Sequence, residues 1–201
     1  MISTEVFSEI EYHLLHDESP SDYLNRISGG PLFREYPLTI LDRLKETEQS
    51  PKYHPEGSVW NHTMLVLDEA ARCREKSSSA RVFMWAALLH DIGKPDTTQT
   101  RKGRITSYNH DRIGAELCVK FLREFGCEDQ FIRDVSALVR WHMQLLFVTK
   151  SLAFADVEAM KTQTDIEDVA LLGFCDRMGR LGADREEQKK AIALFLEKCT
   201  N

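Results

Sequence analysis

The sequence is poor in everything that would staple a fold covalently. It has five cysteines, at positions 73, 118, 127, 175 and 199, an odd number with no CxxC pair. A disulfide scaffold and a zinc ribbon are therefore not expected, and a reducing compartment fits. Long apolar runs are missing as well. The longest is VFMWAALL, residues 82–89, far short of the ~20 residues of a membrane-spanning helix. The N-terminus, MISTEVFSEIEYHLLHDE, carries acidic residues and lacks the basic n-region and apolar h-region of a secretion signal. These absences lead to the expectation of a cytoplasmic protein with no membrane partner. Ten glycines and six prolines in 201 residues are too few for a collagen-like or low-complexity chain. Positive charge is in deficit, with a net charge of −6. Extended nucleic-acid binding is not expected, because it needs a basic face to displace counterions.

What is present suits one globular domain: 42% hydrophobic and 29% charged residues. The periodicity is helical nearly throughout. Val6, Ile10, His13 and Leu14 share one helix face, and Pro20-Ser21 opens a short helix that Gly29-Gly30 stops. Pro37 suits the first turn of a helix through Leu38, Leu41 and Leu44. A turn-rich stretch at 50–58 precedes a helix with Val59, His62, Val66, Glu69 and Cys73 along one side. Ser77, Ser78 and Ser79 break it and cap the next, at 80–90. Further helices are expected at 110–125, 129–147, 155–161, 166–180 and 185–198. Thr164 with Glu167 and Asp184 with Glu187 have capping-box spacing. Only 95–107, rich in threonine with a Lys102-Gly103 turn, reads as a small hairpin or loop. The expected fold class is an all-α bundle, with N-terminal helices of unassigned role at 1–50, a core at 51–182 and a C-terminal helix at 183–201 packing on that core.

Four of the seven histidines recur with two aspartates: His62, His90-Asp91, His110, His142 and Asp176. Each group comes from a different predicted helix, apart from the adjacent doublet, which is how helical bundles assemble metal sites. The doublet ends a helix that is apolar all round and therefore buried. Two ionisable groups there need partners, and a divalent ion satisfies both. Gly93 suggests a sharp turn after the doublet. Lys94 adds a cation beside it, favourable where an anion such as a phosphate oxygen lies between.

The pattern His62…His90-Asp91…Asp176, with the string HDIGK at 90–94, resembles the HD superfamily of metal-dependent phosphohydrolases. Three segments, YHPEGSVWNHTMLVLDEAA, ALLHDIGKPDTT and ITSYNHDRIGAEL, are similar to the HD domain that follows the nucleotidyltransferase core of bacterial CCA-adding tRNA enzymes. The phosphate loop and paired aspartates of that core do not occur in these 201 residues, so the chain reads as a stand-alone HD domain not expected to polymerise CCA. The resemblance implies that His62, His90, Asp91 and Asp176 ligate one ion. It implies that His110 and His142 add a second, with Asp91 bridging; the alternative is that these two histidines cap helices or bind phosphate directly. Mixed imidazole and carboxylate ligands suit Mn, Fe, Co, Ni or Zn better than Ca, and Mg stands beside them as a candidate ion.

Asp91 and Lys94 are the candidate catalytic residues, and Lys94, Arg112 and His54 the candidate substrate-binding residues. The implied activity is hydrolysis of a phosphomonoester or cyclic phosphodiester, of a nucleotide or an RNA end, by water activated at the metal. The partner is then a small phosphorylated molecule. A nucleotidase or triphosphohydrolase, and a non-catalytic HD-fold regulatory module, are the competing readings. Arg101, Lys102 and Arg104 read as a solvated hairpin tip more readily than as a phosphate-binding lip. Glu56 and Trp60 read as supporting or packing residues beside His62. His13 and His16 read as surface residues, and no cysteine has a local base to activate it.

Overall fold

The computed structural model describes residues 4–200; the start and end of the chain, residues 1–3 and 201, lie outside the described residues. The order is α1 (Thr4–His16), α2 (Pro20–Ser28), α3 (Leu38–Asp42), α4 (Val59–Ala71), α5 (Ala80–Leu89), α6 (Lys94–Thr97), β1 (Thr98–Arg101), β2 (Arg104–Ser107), α7 (His110–Glu124), α8 (Asp129–Trp141), α9 (Gln144–Thr149), α10 (Val157–Lys161), α11 (Ile166–Met178) and α12 (Arg185–Thr200). The all-α class holds, and the two strands form one antiparallel hairpin.

Helix α5 is the axle of the bundle. Seven of its residues, from Phe83 to Leu89, are buried without a break, so this stretch presents no face to solvent. It packs against α1, α4, α8 and α11. Trp85 is wholly buried and stacks on Phe7 of α1 at 4.4 Å. The same continuous core takes in Phe7 near one end of the chain and Phe195 and Cys199 of α12 near the other. Helix α12 lies on α9 and α11.

Local chemistry sets the boundaries. Ser58 and Ser79 each accept a hydrogen bond from a backbone N–H three residues on, starting α4 and α5. Arg101 pairs with Arg104 across a two-residue turn. Both turn residues, Lys102 and Gly103, have positive φ, which matches the twist of a tight hairpin.

The structure departs from the sequence reading at several places. The helix expected over 129–147 breaks after Trp141 and restarts at Gln144. Leu138, Val139, Trp141, Leu145 and Val148 are buried on both sides of the break, so the apolar period runs through it unmarked. The cap of α11 is Asp165, whose carboxylate accepts from the Glu167 N–H, not Thr164. Helix α10 starts at Val157, capped by Asp156, two residues after the expected start. Pro37 sits just before α3, and Leu44 lies in a 3-10 turn that follows it. His13 is half-buried, stacked on Tyr23 at 3.6 Å. Gly93 has ordinary helical backbone angles. Glycine is needed there for a different reason: a Cβ would come within 2.2 Å of the His110 carbonyl oxygen and 2.5 Å of the Gly114 nitrogen. The backbone after the doublet is pressed directly onto α7.

Candidate metal centre

That contact brings two stretches of sequence to one point. His90 and Asp91 follow the last residue of α5, and His110 is the first residue of α7. His142 follows the last residue of α8, His62 lies in the first turns of α4, and Asp176 lies near the end of α11. All six side chains are buried. Asp91 is the hub. Its Oδ2 is 3.2 Å from His90 Nε2 and 3.9 Å from His62 Nε2. Its Oδ1 is 3.5 Å from His110 Nε2 and 3.9 Å from His142 Nε2. Asp176 joins through His62 Nε2, at 2.9 Å from its Oδ1. One oxygen of Asp91 thus faces one pair of imidazoles, and the other oxygen faces the second pair.

The rings are held from behind. Nδ1 of His90, His110 and His142 lies 2.7–2.8 Å from the carbonyl oxygen three residues earlier, of Ala87, Ser107 and Val139. A carbonyl only accepts, so each Nδ1 carries a proton, and Nε2 of His110 and His142 presents a lone pair to the centre. His90 and His142 sit at helix ends, where the ring stands in for a missing backbone donor, while His110, at a helix start, is latched to the last residue of β2. His62 differs: its Nδ1 is 2.8 Å from Glu56 Oε1, which His54 Nδ1 also approaches at 2.8 Å.

Electrostatics keep the carboxylates ionised. Burial raises the pKa of Asp91, but the neighbouring His90, Lys94 and His110 side chains outweigh it and hold the group well below its ordinary value. Burial likewise raises Asp176, and Arg180 and His62 outweigh it in the same way. Burial lowers His110, only partly offset by Asp91. Burial, with the neighbouring His110 and His90, lowers His142 to about 4. Both rings are therefore neutral at pH 7.

A cation fits these residues. His110 Nε2 and His142 Nε2 face each other at 3.2 Å. Each ring has its proton on Nδ1, so no hydrogen lies between the two nitrogens, and two lone pairs oppose one another. His90 Nε2 is buried with no partner in hydrogen-bond geometry. An ion between these donors removes the repulsion and satisfies the orphaned nitrogen. Two triads have atoms close enough to hold one: His62, His90 and Asp91, and Asp91, His110 and His142. A third, His54, Glu56 and His62, lies behind the first.

The centre forms the floor of a cavity of about 600 Å³ lined by Asp91, Lys94, His110, His142, Asp176 and Arg180. Lys94 Nζ is 2.6 Å from Asp91 Oδ2 and donates to Gln49 Oε1 at 2.6 Å. Arg180 Nη2 donates to both oxygens of Asp176, at 3.2 and 3.1 Å. His54 lines the wall, half-buried against Glu56; burial and the Lys94 charge lower its pKa to about 4. Arg112 is exposed on the wall, beside the Arg140–Asp111 ion pair at 2.5 Å. Arg101, Lys102 and Arg104 are exposed on the hairpin away from this lining. Arg177 points instead to Gln188 of α12, and Trp60 donates to Asn25 in the packing beside His62.

The sequence reading left Arg180 unassigned and missed Gln49 altogether. Arg180 carried a signal, standing four residues after Asp176 and so on the same helical face. Gln49 carried none, because only the tertiary fold brings its loop to Lys94. Glu56 was noticed, but not its shared contact with two histidines.

The fold and the site together define a helical bundle that presents imidazoles and carboxylates for divalent metal. The HD-domain family profile matches residues 59–181. The chain belongs to the HD-domain family, metal-binding domains of the metal-dependent phosphohydrolase superfamily. Its relatives include the multifunctional CCA protein of Alkalilimnicola ehrlichii, 29% identical over 99% of this chain and 47% of that protein. The multifunctional CCA protein of Hahella chejuensis is 34% identical over 79% of this chain and 38% of its own length. The A-adding tRNA nucleotidyltransferase of Deinococcus radiodurans is 32% identical over 66% and 35%. The chain spans less than half the length of these relatives. Among the described residues no helix is long and apolar enough to cross a membrane.

Proposed function

We propose that this chain hydrolyses a phosphomonoester or cyclic phosphodiester of a nucleotide or RNA end, with divalent metal at the Asp91 centre. The observation that carries the reading is the pair of opposed imidazole lone pairs, His110 and His142, sharing one carboxylate with His62 and His90. His62, His90, Asp91 and Asp176 would hold one ion, and Asp91, His110 and His142 a second. Metal bound there supplies Lewis-acid polarisation of the phosphoryl group and a nucleophilic hydroxide near neutral pH.

The remaining work falls to the chain itself. Lys94 and Arg180 border the cavity and offer positive charge to phosphoryl oxygens as negative charge develops. Arg112 and His54, on the walls, contact the rest of the substrate. The latched rings hold their orientation without help from substrate. The tRNA-directed names of the relatives support a nucleotide or RNA terminus as the phosphate carrier. The acidic net charge of −6 supports a small partner over an extended nucleic acid, and five unbridged cysteines suit work in the cytoplasm.

The test is metal analysis of the purified protein, then a phosphoester screen with Mn²⁺, Ni²⁺, Co²⁺ and Mg²⁺. One to two ions per chain and hydrolysis with at least one metal are expected. Asp91→Ala should abolish both while helical content stays native. A protein that binds no divalent ion at neutral pH overturns the reading, as does wild-type turnover in Asp91→Ala.

A further inference from the structure

The cavity above the metal centre has a second, chemically different half. Large apolar side chains exposed singly need no explanation, but several around one opening do. Tyr53, Tyr108, Leu152 and Phe154 are all exposed, Tyr108 at 71% and Phe154 at 61%, and all four line this one cavity. Leu146 and Phe147 of α9 complete the apolar wall. Phe147 and Phe154 meet at a ring separation of 5.5 Å.

This wall is built, not merely left over. The segment that carries Leu152 and Phe154 is pinned from below by Gln144, a buried amide. Its Nε2 donates to the Phe154 carbonyl at 3.1 Å, and its Oε1 accepts from the Asp156 N–H at 3.0 Å. Lys198 of α12 holds the preceding turn through the Val148 carbonyl at 3.2 Å and Ser151 Oγ at 3.0 Å. Two polar side chains, one of them fully enclosed, thus fix a segment whose apolar side chains face outward. A bare phosphate fills only a fraction of about 600 Å³, a volume in the usual range, ~300–1,000 Å³, for sites that take a whole small organic molecule.

We infer that Leu152, Phe154 and Phe147 form a subsite for a planar aromatic ring on the phosphoester, of the kind a nucleobase presents. Flat apolar and aromatic surface favours a flat ring over a flexible or hydroxylated chain, which would lose water contacts without equal return. This inference rests on the phosphohydrolase reading for the charged floor and assigns what the other half of the cavity selects.

The experiment compares two phosphonates that resist hydrolysis, naphthylmethylphosphonate and methylphosphonate, binding to the Mn²⁺-loaded protein by calorimetry. The aromatic probe should bind at least about tenfold more tightly, the scale of one good aromatic contact. Phe154→Ala and Leu152→Ala should each shrink that ratio, and Phe154→Trp should restore it. Both side chains are exposed, so truncation leaves the core intact, and circular dichroism verifies this. Equal affinity for the two probes overturns the subsite while leaving the phosphate floor standing. A preference that survives both alanine variants overturns the assignment to this wall. Failure of both phosphonates to bind overturns the inference together with the reading beneath it.

Discussion

In the proposed two-ion arrangement His110 and His142 do different work from His62, although all three face Asp91. Removing His62 breaks the group it forms with Asp176 and His90, so His62→Ala should empty the site. His110→Ala and His142→Ala should each lose the second ion, keep one and turn over more slowly. Lys94→Ala should keep metal and raise KM or lower kcat, because in the proposed reaction its charge serves the phosphate. Metal stoichiometry measured beside kinetics separates these outcomes. Wild-type metal content and rate in both His110→Ala and His142→Ala would leave only one ion in the centre. The pKa directions add a test in acid. His142 is lowered to about 4 from 6.5 by burial and the neighbouring His110 and His90. Its folded form binds a proton less readily than its unfolded form, so this ring's contribution to stability is complete above pH 6.5 and lost as pH falls towards 4. His62 runs the other way. Burial lowers it, Asp176 and Glu56 together raise it further, and the net shift is upward. Its contribution is complete below pH 6.5 and lost as pH rises through the folded value. The melting temperature of metal-free protein should therefore fall less between pH 7 and 4 in His142→Gln than in wild type. An equal fall in the two proteins would show that His142 is not held neutral.

At the scale of elements, the junction between the doublet and α7 is the tightest joint in the centre. Gly93→Ala would drive a methyl group into the backbone of α7 at His110 and Gly114. It should cost about 1–3 kcal/mol and weaken ion binding, since His110 moves with its helix. Gly114→Ala, whose Cβ would meet Val139 Cγ1 and the Gly93 nitrogen at 3.4 Å, should cost less. Urea unfolding with and without Mn²⁺ ranks the two, and a Gly93→Ala protein as stable as wild type would refute the close-contact argument. The sequence announced the glycine but not its reason, because backbone approach between distant segments leaves no periodic trace. The same limit explains the break at His142. Nothing in VRWHMQLL interrupts the apolar spacing, and the signal was a buried polar residue, Gln144, whose partners lie ten and twelve residues downstream. Serine caps, by contrast, were legible because their hydrogen bonds span three residues.

For the whole molecule, the six ionisable groups were readable in advance as a motif in order, and the apolar face of α5 announced its central burial. The aromatic wall was not readable, since Leu152 and Phe154 stand in an undistinguished loop and acquire meaning only in the cavity they line together with Tyr53 and Tyr108. One feature of the centre has a further effect on the molecule as a carrier of protons. Among the four rings around Asp91, His62 alone has both nitrogens against carboxylates, at 2.8 and 2.9 Å, the setting of a doubly protonated imidazolium. His110 and His142 hold only their latched Nδ1 protons. Uptake of metal at pH 6.5 should then expel roughly one proton, from His62 Nε2, and none from His110 or His142. Calorimetric heats of Mn²⁺ uptake, plotted against buffer ionisation enthalpy, should have a slope near one proton for wild type. A flat line would mean that His62 already lacks the proton. With a slope of one, each tenfold rise in acidity weakens the metal-loaded state about tenfold around that pH, so the ion is held most loosely where the surroundings are most acidic.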